Sequence, residues 1–138
     1  FVKERVVSYP VISAADVVVM AAPVTEMSHR MMNDAAFAAM KPGAYFVNVS
    51  RGATVDTEAL WRAISTQRLA GVGLDVVDPE PLPHGHPLLA HPNVIVSDHL
   101  AGISDNLRSR NFELISTNIR RFLGGLPLIN VVDKSRGY

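Results

Sequence analysis

An arginine, a histidine and two carboxylates each stand at or beyond the end of an apolar run: Arg51, Asp75, Glu80 and His99. A guanidinium holds a carboxylate in two parallel hydrogen bonds, and a histidine gives or takes a proton near neutral pH. A carboxylate beside the histidine orients the ring and favours its protonated form. These groups suit the interconversion of a 2-oxo acid and a 2-hydroxy acid, with nicotinamide as the hydride carrier.

Four apolar runs predict the β-strands that would bring these side chains together. They are bounded by turn residues and cover residues 15–22, 44–49, 72–77 and 94–97. We also predict the remnant of a strand at Val6 and Val7. Parallel strands present their C-terminal ends at one edge, where open α/β sheets bind ligands, so the four side chains would line one crevice.

Helical patterns lie between the strands. One helix is predicted over residues 35–40, a second begins at the capping residue Asp56, and the longest runs from Ser104 or Asp105 to about Leu123. Strands that alternate with helices indicate right-handed crossovers and a parallel sheet. A doubly wound sheet usually has about six strands. The predicted fold class is therefore α/β, the second half of a Rossmann-type doubly wound parallel sheet followed by a long C-terminal helix.

The composition argues against several classes of function. Lys and Arg number 13, as do Asp and Glu, so the formal net charge is zero and no strong field attracts nucleic acid or an acidic membrane. The apolar runs are too short to span a bilayer. The absence of Cys excludes disulfides and thiolate chemistry, and the cytoplasm is the default location.

Histidines crowd the proline-rich segment 78–92, which is predicted to be an irregular loop. His84, His86 and His91 have a spacing that can bind zinc, but apart from Glu80, which is already a candidate for the reactive group, no carboxylate or thiol completes a ligand set. We therefore predict solvated histidines and no metal site.

Three motifs in this order carry a family resemblance: NVSRG at 48–52, GLDVVDPEP at 73–81 and SDHLAG at 97–102. The sequence resembles the NAD-dependent D-isomer-specific 2-hydroxyacid dehydrogenases, such as the phosphoglycerate and glycerate/hydroxypyruvate dehydrogenases. The resemblance runs from about residue 15 to the end of the chain.

The resemblance implies a role for each reactive side chain. Arg51 would bind the substrate carboxylate and keto oxygen, His99 would be the acid/base, and Glu80 would pair with His99 and tune it. Asp75 would accept a hydrogen bond from the nicotinamide carboxamide. The implied cofactor is NAD, with NADP not excluded, and its binding set would be Ala22, Pro23, Val49, Ser50, Arg51, Asp75, His99, Ala101 and Gly102.

Two departures from the family pattern stand out. Ser97-Asp98-His99 replaces the common Thr-Pro-His and brings a second carboxylate near the histidine. The second departure is that the sequence has no G-x-G-x-x-G loop to bind a pyrophosphate. Gly71 and Gly73 have the wrong context for such a loop, since they are predicted to close a helix and enter a strand. We therefore expect residues 1–104 to be the C-terminal part of a dinucleotide-binding domain and residues 105–138 to be a helix and tail that return to a missing substrate domain.

These features predict part of an oxidoreductase acting on a small D-2-hydroxy acid or 2-oxo acid. The full-length protein would be an active enzyme and, like many of its relatives, a homodimer, whereas the isolated chain would be inactive. Two alternatives remain open. One is a nicotinamide-sensing, non-catalytic binding protein of the corepressor type, which shares the Arg/Glu/His set, and the other is an inactive fragment.

Overall fold

The structure is a computed structural model, and it describes residues 9–135. The predicted strand remnant at Val6 and Val7 lies outside the described residues. The elements in chain order are α1 (Tyr9–Ile12), β1 (Val17–Met20), α2 (Asp34–Ala39), β2 (Ala44–Asn48), a 3₁₀ helix (Gly52–Thr54), α3 (Thr57–Ser65), β3 (Leu69–Leu74), α4 (Pro87–Ala90), β4 (Val94–Val96) and α5 (Leu107–Leu123). The described residues form two compact units, which divide between Leu100 and Ala101.

The first unit is built on a four-stranded parallel sheet with the strands in the order β1-β2-β3-β4. The last residues of the strands lie level with one another, since Met20 pairs with Asn48, Asn48 with Leu74, and Leu74 with Val96. The C-terminal ends of all four strands therefore meet at one edge. This confirms the predicted α/β fold class and its parallel sheet.

Side-chain caps begin the two longer helices of this unit. Asn33 Oδ1 accepts a hydrogen bond of 3.1 Å from the N–H of Ala36 at the start of α2. Asp56 Oδ1 accepts one of 3.0 Å from the N–H of Ala59 at the start of α3, as predicted. These helices cover one face of the sheet and bury an apolar core that includes Phe37, Phe46, Met40, Leu60, Ile64 and Leu74.

The sequence misplaced the start of the third strand. β3 begins at Leu69, so Gly71 lies within the strand instead of closing a helix, and Gly73 lies in the strand as predicted. The turn is made earlier by Gln67, whose φ of 58° lies in the left-handed region that glycine or asparagine usually occupies. The tight turn leaves room for three additional strand residues.

Two further expectations were wrong in detail. The proline-rich segment contains the short helix α4, with Pro87 at its first position, where the missing N–H costs nothing. The longest helix begins at Leu107 after the N-cap residue Asn106, and not at Ser104 or Asp105. Its predicted end at Leu123 is confirmed.

The second unit consists of α5 and the tail that follows it. Asn118 on the helix binds Ile129 of the tail through both groups of its side chain, at 3.0 Å to the carbonyl and 2.9 Å from the N–H. The apolar side chains along one stripe of the helix are exposed: Phe112, Ile115, Ile119 and Phe122. Within residues 9–135, every helix is too short or too polar to cross a bilayer.

Candidate active site

The C-terminal edge of the sheet collects most of the residues that the sequence singled out. β2 is followed by Val49, Ser50 and Arg51, β3 by Asp75, and β4 by the segment 97–99. Neighbouring parallel strands lie about 4.8 Å apart, so the segments after β2 and β4 are separated by roughly two strand spacings. A small acid fits within that span.

The clearest contact at this edge joins Glu80 and His99. The Nδ1 atom of His99 lies 2.8 Å from Oε1 of Glu80, although 19 positions separate the two residues. Their side chains are 44% and 42% exposed. A contact this exposed contributes at most about 1 kcal/mol to the stability of the fold. Its main consequence is that Glu80 fixes the orientation of the His99 ring.

The backbone of His99 is itself unusual. Its φ is 57°, in the left-handed region that few residues other than glycine adopt. Histidine, asparagine and aspartate tolerate this region better than branched residues do, but a cost of about 1–3 kcal/mol remains unless neighbouring groups hold the conformation. Such outliers cluster at functional sites.

Arg51 is exposed, and its main chain is tied down from both sides. Its carbonyl accepts hydrogen bonds from Asn48 Nδ2 at 3.1 Å and from Thr54 Oγ1 at 2.8 Å. The guanidinium donates from Nη1 to the Ser50 carbonyl at 2.7 Å. The strand end therefore presents an exposed cationic group on a backbone that two side chains hold.

A buried polar network supports this backbone, and sequence reasoning missed it. Asn48, Ser50 and Thr54 are 1%, 6% and 0% exposed. Asn48 Oδ1 accepts from the N–H of Ser50 at 3.0 Å and from its hydroxyl at 2.9 Å, and that hydroxyl lies 3.1 Å from Thr54 Oγ1. A polar residue at the end of an apolar strand, with hydroxyls two and six positions later, was the available signal.

The loop after Arg51 also packs closely on the main chain that follows β3. A Cβ added to Gly52 would stand 1.8 Å from the carbonyl oxygen of Val77. Only glycine permits this approach, which holds the arginine segment against the segment that leads to Glu80.

Asp75 lies at the end of β3 with only 7% of its surface exposed. Its Oδ1 atom accepts hydrogen bonds of 2.7 Å from the Ser97 hydroxyl and of 2.7 Å from the N–H of Leu100. Sequence reasoning gave Asp75 a cofactor contact and gave Ser97 no role.

The remaining predicted cofactor residues lie at two other places in the chain. Ala22 and Pro23 follow β1, where the Ser28 hydroxyl donates to the Pro23 carbonyl at 2.6 Å. Ala101 and Gly102 begin the second unit and are exposed.

The loop histidines have structural contacts. His86 Nδ1 accepts from the N–H of Leu88 at 3.3 Å, and His91 Nδ1 accepts from the N–H of Asn93 at 3.2 Å. The ring of His91 also packs edge-on against Trp61, with centroids 6.0 Å apart. Within the part of the chain that the structure describes, no three His, Asp or Glu side chains are grouped as a metal site would require.

The family model for the D-isomer specific 2-hydroxyacid dehydrogenase, NAD binding domain, matches residues 4–101 of this sequence. That span is well over half of the 138 residues. The chain therefore belongs to this family, as its three motifs predicted.

Individual relatives agree with this assignment. The chain is 38% identical over 111 residues to a glyoxylate reductase of Thermofilum pendens, covering 80% of this chain and 33% of that protein. It is 35% identical over 123 residues to a glyoxylate reductase/hydroxypyruvate reductase of Homo sapiens, covering 88% and 38%. The chain thus spans about a third of the length of these relatives.

A solved structure shows the same fold. The D-isomer specific 2-hydroxyacid dehydrogenase from Xanthobacter autotrophicus Py2, in complex with NADPH and MES, superposes with a TM-score of 0.88 at 39% sequence identity. The match covers 94% of this chain and 53% of that one. The parallel sheet of the first unit is therefore a Rossmann-type sheet of this family.

The residues at the sheet edge fit one end of a dinucleotide. Val49, 39% exposed, and the carboxylate of Asp75 supply an apolar surface and a hydrogen-bond acceptor, which a nicotinamide ring and its amide need. A pyrophosphate needs a glycine-rich turn at a helix N-terminus, and the sequence contains no G-x-G-x-x-G segment. The chain's own residues therefore suit the nicotinamide end and not the phosphates.

Proposed function

We propose that this chain forms the nicotinamide-side half of the active site in an NAD(P)-dependent dehydrogenase that interconverts a small 2-oxo acid and a D-2-hydroxy acid. The observation that carries the proposal is the Glu80–His99 pair at 2.8 Å on the sheet edge that also ends in Arg51. An acid/base group and a cation beside a carbonyl are what hydride addition requires.

Arg51 binds the substrate carboxylate and polarises the keto oxygen. Its present bond to Ser50 uses Nη1, so the edge formed by Nε and Nη2 can hold a carboxylate in two parallel bonds. Arg62 already binds the carboxylate of Asp34 in this manner, at 2.9 and 2.8 Å. The buried network holds the Arg51 backbone in place, so only the side chain has to move to reach the substrate.

His99 donates a proton to the carbonyl oxygen of the substrate as the alcohol forms, and it removes that proton in the reverse reaction. Glu80 accepts a hydrogen bond from Nδ1, which fixes the tautomer that leaves Nε2 to face the substrate.

When bound, the dinucleotide supplies the hydride. Asp75 would accept a hydrogen bond from the nicotinamide carboxamide, and Ala22, Pro23, Val49 and Ser50 would border the ring. The NADPH complex of the Xanthobacter relative supports keeping NADP beside NAD as the candidate cofactor.

The substrate class is supported by the relatives, two of which are named as reductases of glyoxylate or hydroxypyruvate. We further propose that residues 1–104 belong to the dinucleotide-binding domain and that residues 105–138 contact a substrate domain. A cytoplasmic homodimer completes the proposal. Size-exclusion chromatography with light scattering tests the dimer.

The test is turnover by the complete gene product. NADH or NADPH is mixed with glyoxylate, hydroxypyruvate and other 2-oxo acids, and oxidation of the reduced cofactor is followed by its absorbance. Turnover that is lost in His99→Ala and kept in the surface variant Arg62→Gln supports the enzyme. Tight NADH binding without turnover supports the sensor instead. The 138-residue chain alone is expected to show no turnover, because it lacks a pyrophosphate loop.

A further inference from the structure

The carboxylate of Asp75 accepts hydrogen bonds from the chain on both sides of His99. Its Oδ1 atom accepts from the hydroxyl of Ser97, two residues before the histidine, and from the N–H of Leu100, one residue after it. Both distances are 2.7 Å, within the range of charge-assisted hydrogen bonds. One buried oxygen therefore anchors the segment that carries the proposed acid/base.

This anchoring explains how His99 keeps its left-handed backbone. A φ of 57° persists in a residue other than glycine only where the surroundings hold it, and the anchors flank that residue directly. The same conformation aims the imidazole at Glu80, where Nδ1 lies 2.8 Å from the carboxylate. If one anchor is released, the backbone can relax and the ring loses its direction.

We infer that Ser97 and Asp75 are positioning residues for His99, acting by holding its loop and not by touching the substrate. This inference rests on the proposed function, since it gives the loop a task in proton transfer. It assigns Asp75 a role within the protein that is compatible with a contact to the nicotinamide amide.

The burial of Ser97 and Asp75 decides which of the two can be varied without destabilising the fold. Ser97 is exposed, so removal of its hydroxyl leaves no cavity, and the buried Asp75 Oδ1 keeps its hydrogen bond from the N–H of Leu100. Its loss should therefore act on the loop much more than on the core. Asp75 is buried, and its replacement could unfold the sheet edge, which makes Ser97 the better position to vary.

The experiment compares Ser97→Ala, Ser97→Thr, His99→Ala and the control Ser65→Ala in the complete gene product. Ser65 is an exposed serine on α3 that donates to the Arg62 carbonyl at 3.2 Å, away from the strand ends. In Ser97→Ala we expect kcat to fall by about 10- to 100-fold, because a misplacement of about 1 Å costs about 100-fold. KM for the 2-oxo acid should change little, since Arg51 is untouched, and Ser97→Thr should restore kcat.

A second readout does not depend on turnover. Amide hydrogen exchange at Leu100, followed by NMR, should be faster in Ser97→Ala and return to the wild-type rate in Ser97→Thr. Wild-type kcat and unchanged Leu100 exchange in Ser97→Ala, together with an inactive His99→Ala, would overturn the positioning role and leave the proposed function standing. Full activity in His99→Ala would instead overturn the proposed function.

Discussion

Arg51 and His99 each lie three residues beyond members of the same row of paired strand residues. Asn48 of β2 pairs with Leu74 of β3, and Leu74 pairs with Val96 of β4. The arginine and the histidine therefore leave the sheet at the same level, two strands apart. This register is the structural basis for treating them as parts of one site.

The first prediction concerns Arg51. In the complete gene product, Arg51→Ala should lower kcat/KM for a 2-oxo acid by about 100- to 1,000-fold, the usual cost of removing one group that stabilises developing oxyanion charge. Arg51→Lys should recover only part of this loss, because an ammonium cannot form two parallel bonds. Steady-state kinetics measure the effect, with Arg62→Gln as the control. An Arg51→Ala enzyme with the wild-type kcat/KM would remove the arginine from the site.

The second prediction concerns the buried network under Arg51. Thr54→Val keeps the shape of a fully buried side chain but removes the hydroxyl that donates to the Arg51 carbonyl at 2.8 Å. Loss of a buried partner costs about 1–3 kcal/mol of the free energy of unfolding. Urea denaturation measures the change, and Ser65→Ala, at an exposed serine, should shift it by less than about 0.5 kcal/mol. Equal midpoints for the two variants would show that the network does not stabilise the loop.

The third prediction uses the close approach at Gly52. A methyl group there would collide with the backbone of Val77, which cannot rotate away, so Gly52→Ala should destabilise the protein by about 1–3 kcal/mol or more. Gly102→Ala is the matched control for stability, because a Cβ at that position meets nothing within 4 Å and its φ is not positive. Thermal unfolding of the two variants distinguishes them. A Gly52→Ala protein as stable as the control would contradict the packing described here.

The fourth prediction is a pH dependence of stability. The hydrogen bond from Arg62 holds the pKa of Asp34 below its ordinary value. A carboxyl group with a lowered pKa in the folded state stabilises the fold above its unfolded pKa, and the contribution disappears as the pH falls through the folded value. Asp34→Asn should therefore be less stable than wild type near neutrality and equally stable in acid. Urea titrations at several pH values measure this, and a difference that persists in acid would assign the loss to something other than the charge.

The Arg62→Gln variant is the control for that measurement. It removes the same exposed ion pair by changing the arginine instead of the aspartate. The pH dependence of its unfolding free energy should therefore match that of Asp34→Asn. The double variant should be no less stable than either single one.

Local signals predicted much of the fold. Asp56 caps α3, and Leu123 ends α5 before a glycine pair, because both features depend on neighbours in sequence. The start of β3 was missed because the turn is made by Gln67, and glutamine is not a residue type that usually adopts a left-handed backbone. The cap that His86 gives to α4 was missed for the same reason, since histidine is a rare capping residue.

The features of the site likewise fall into those that the sequence could predict and those that it could not. Arg51, Asp75 and His99 could be placed on one edge because strand ends and residue types are visible in the sequence. The hold of Asp75 on both sides of the histidine could not be predicted, because it depends on where two chain segments meet in space. The collision that reserves position 52 for glycine is likewise invisible without coordinates.

The most direct test of the account is a double-mutant cycle on Glu80 and His99 in the complete gene product. General acid–base catalysis is worth about 100- to 10,000-fold, so His99→Ala should lower kcat on a 2-oxo acid by this order, and Glu80→Gln by less. Because Glu80 acts through the histidine, the double variant should be no slower than His99→Ala alone. Losses that simply multiply, or a His99→Ala enzyme with the wild-type kcat, would contradict the central claim that the pair performs proton transfer.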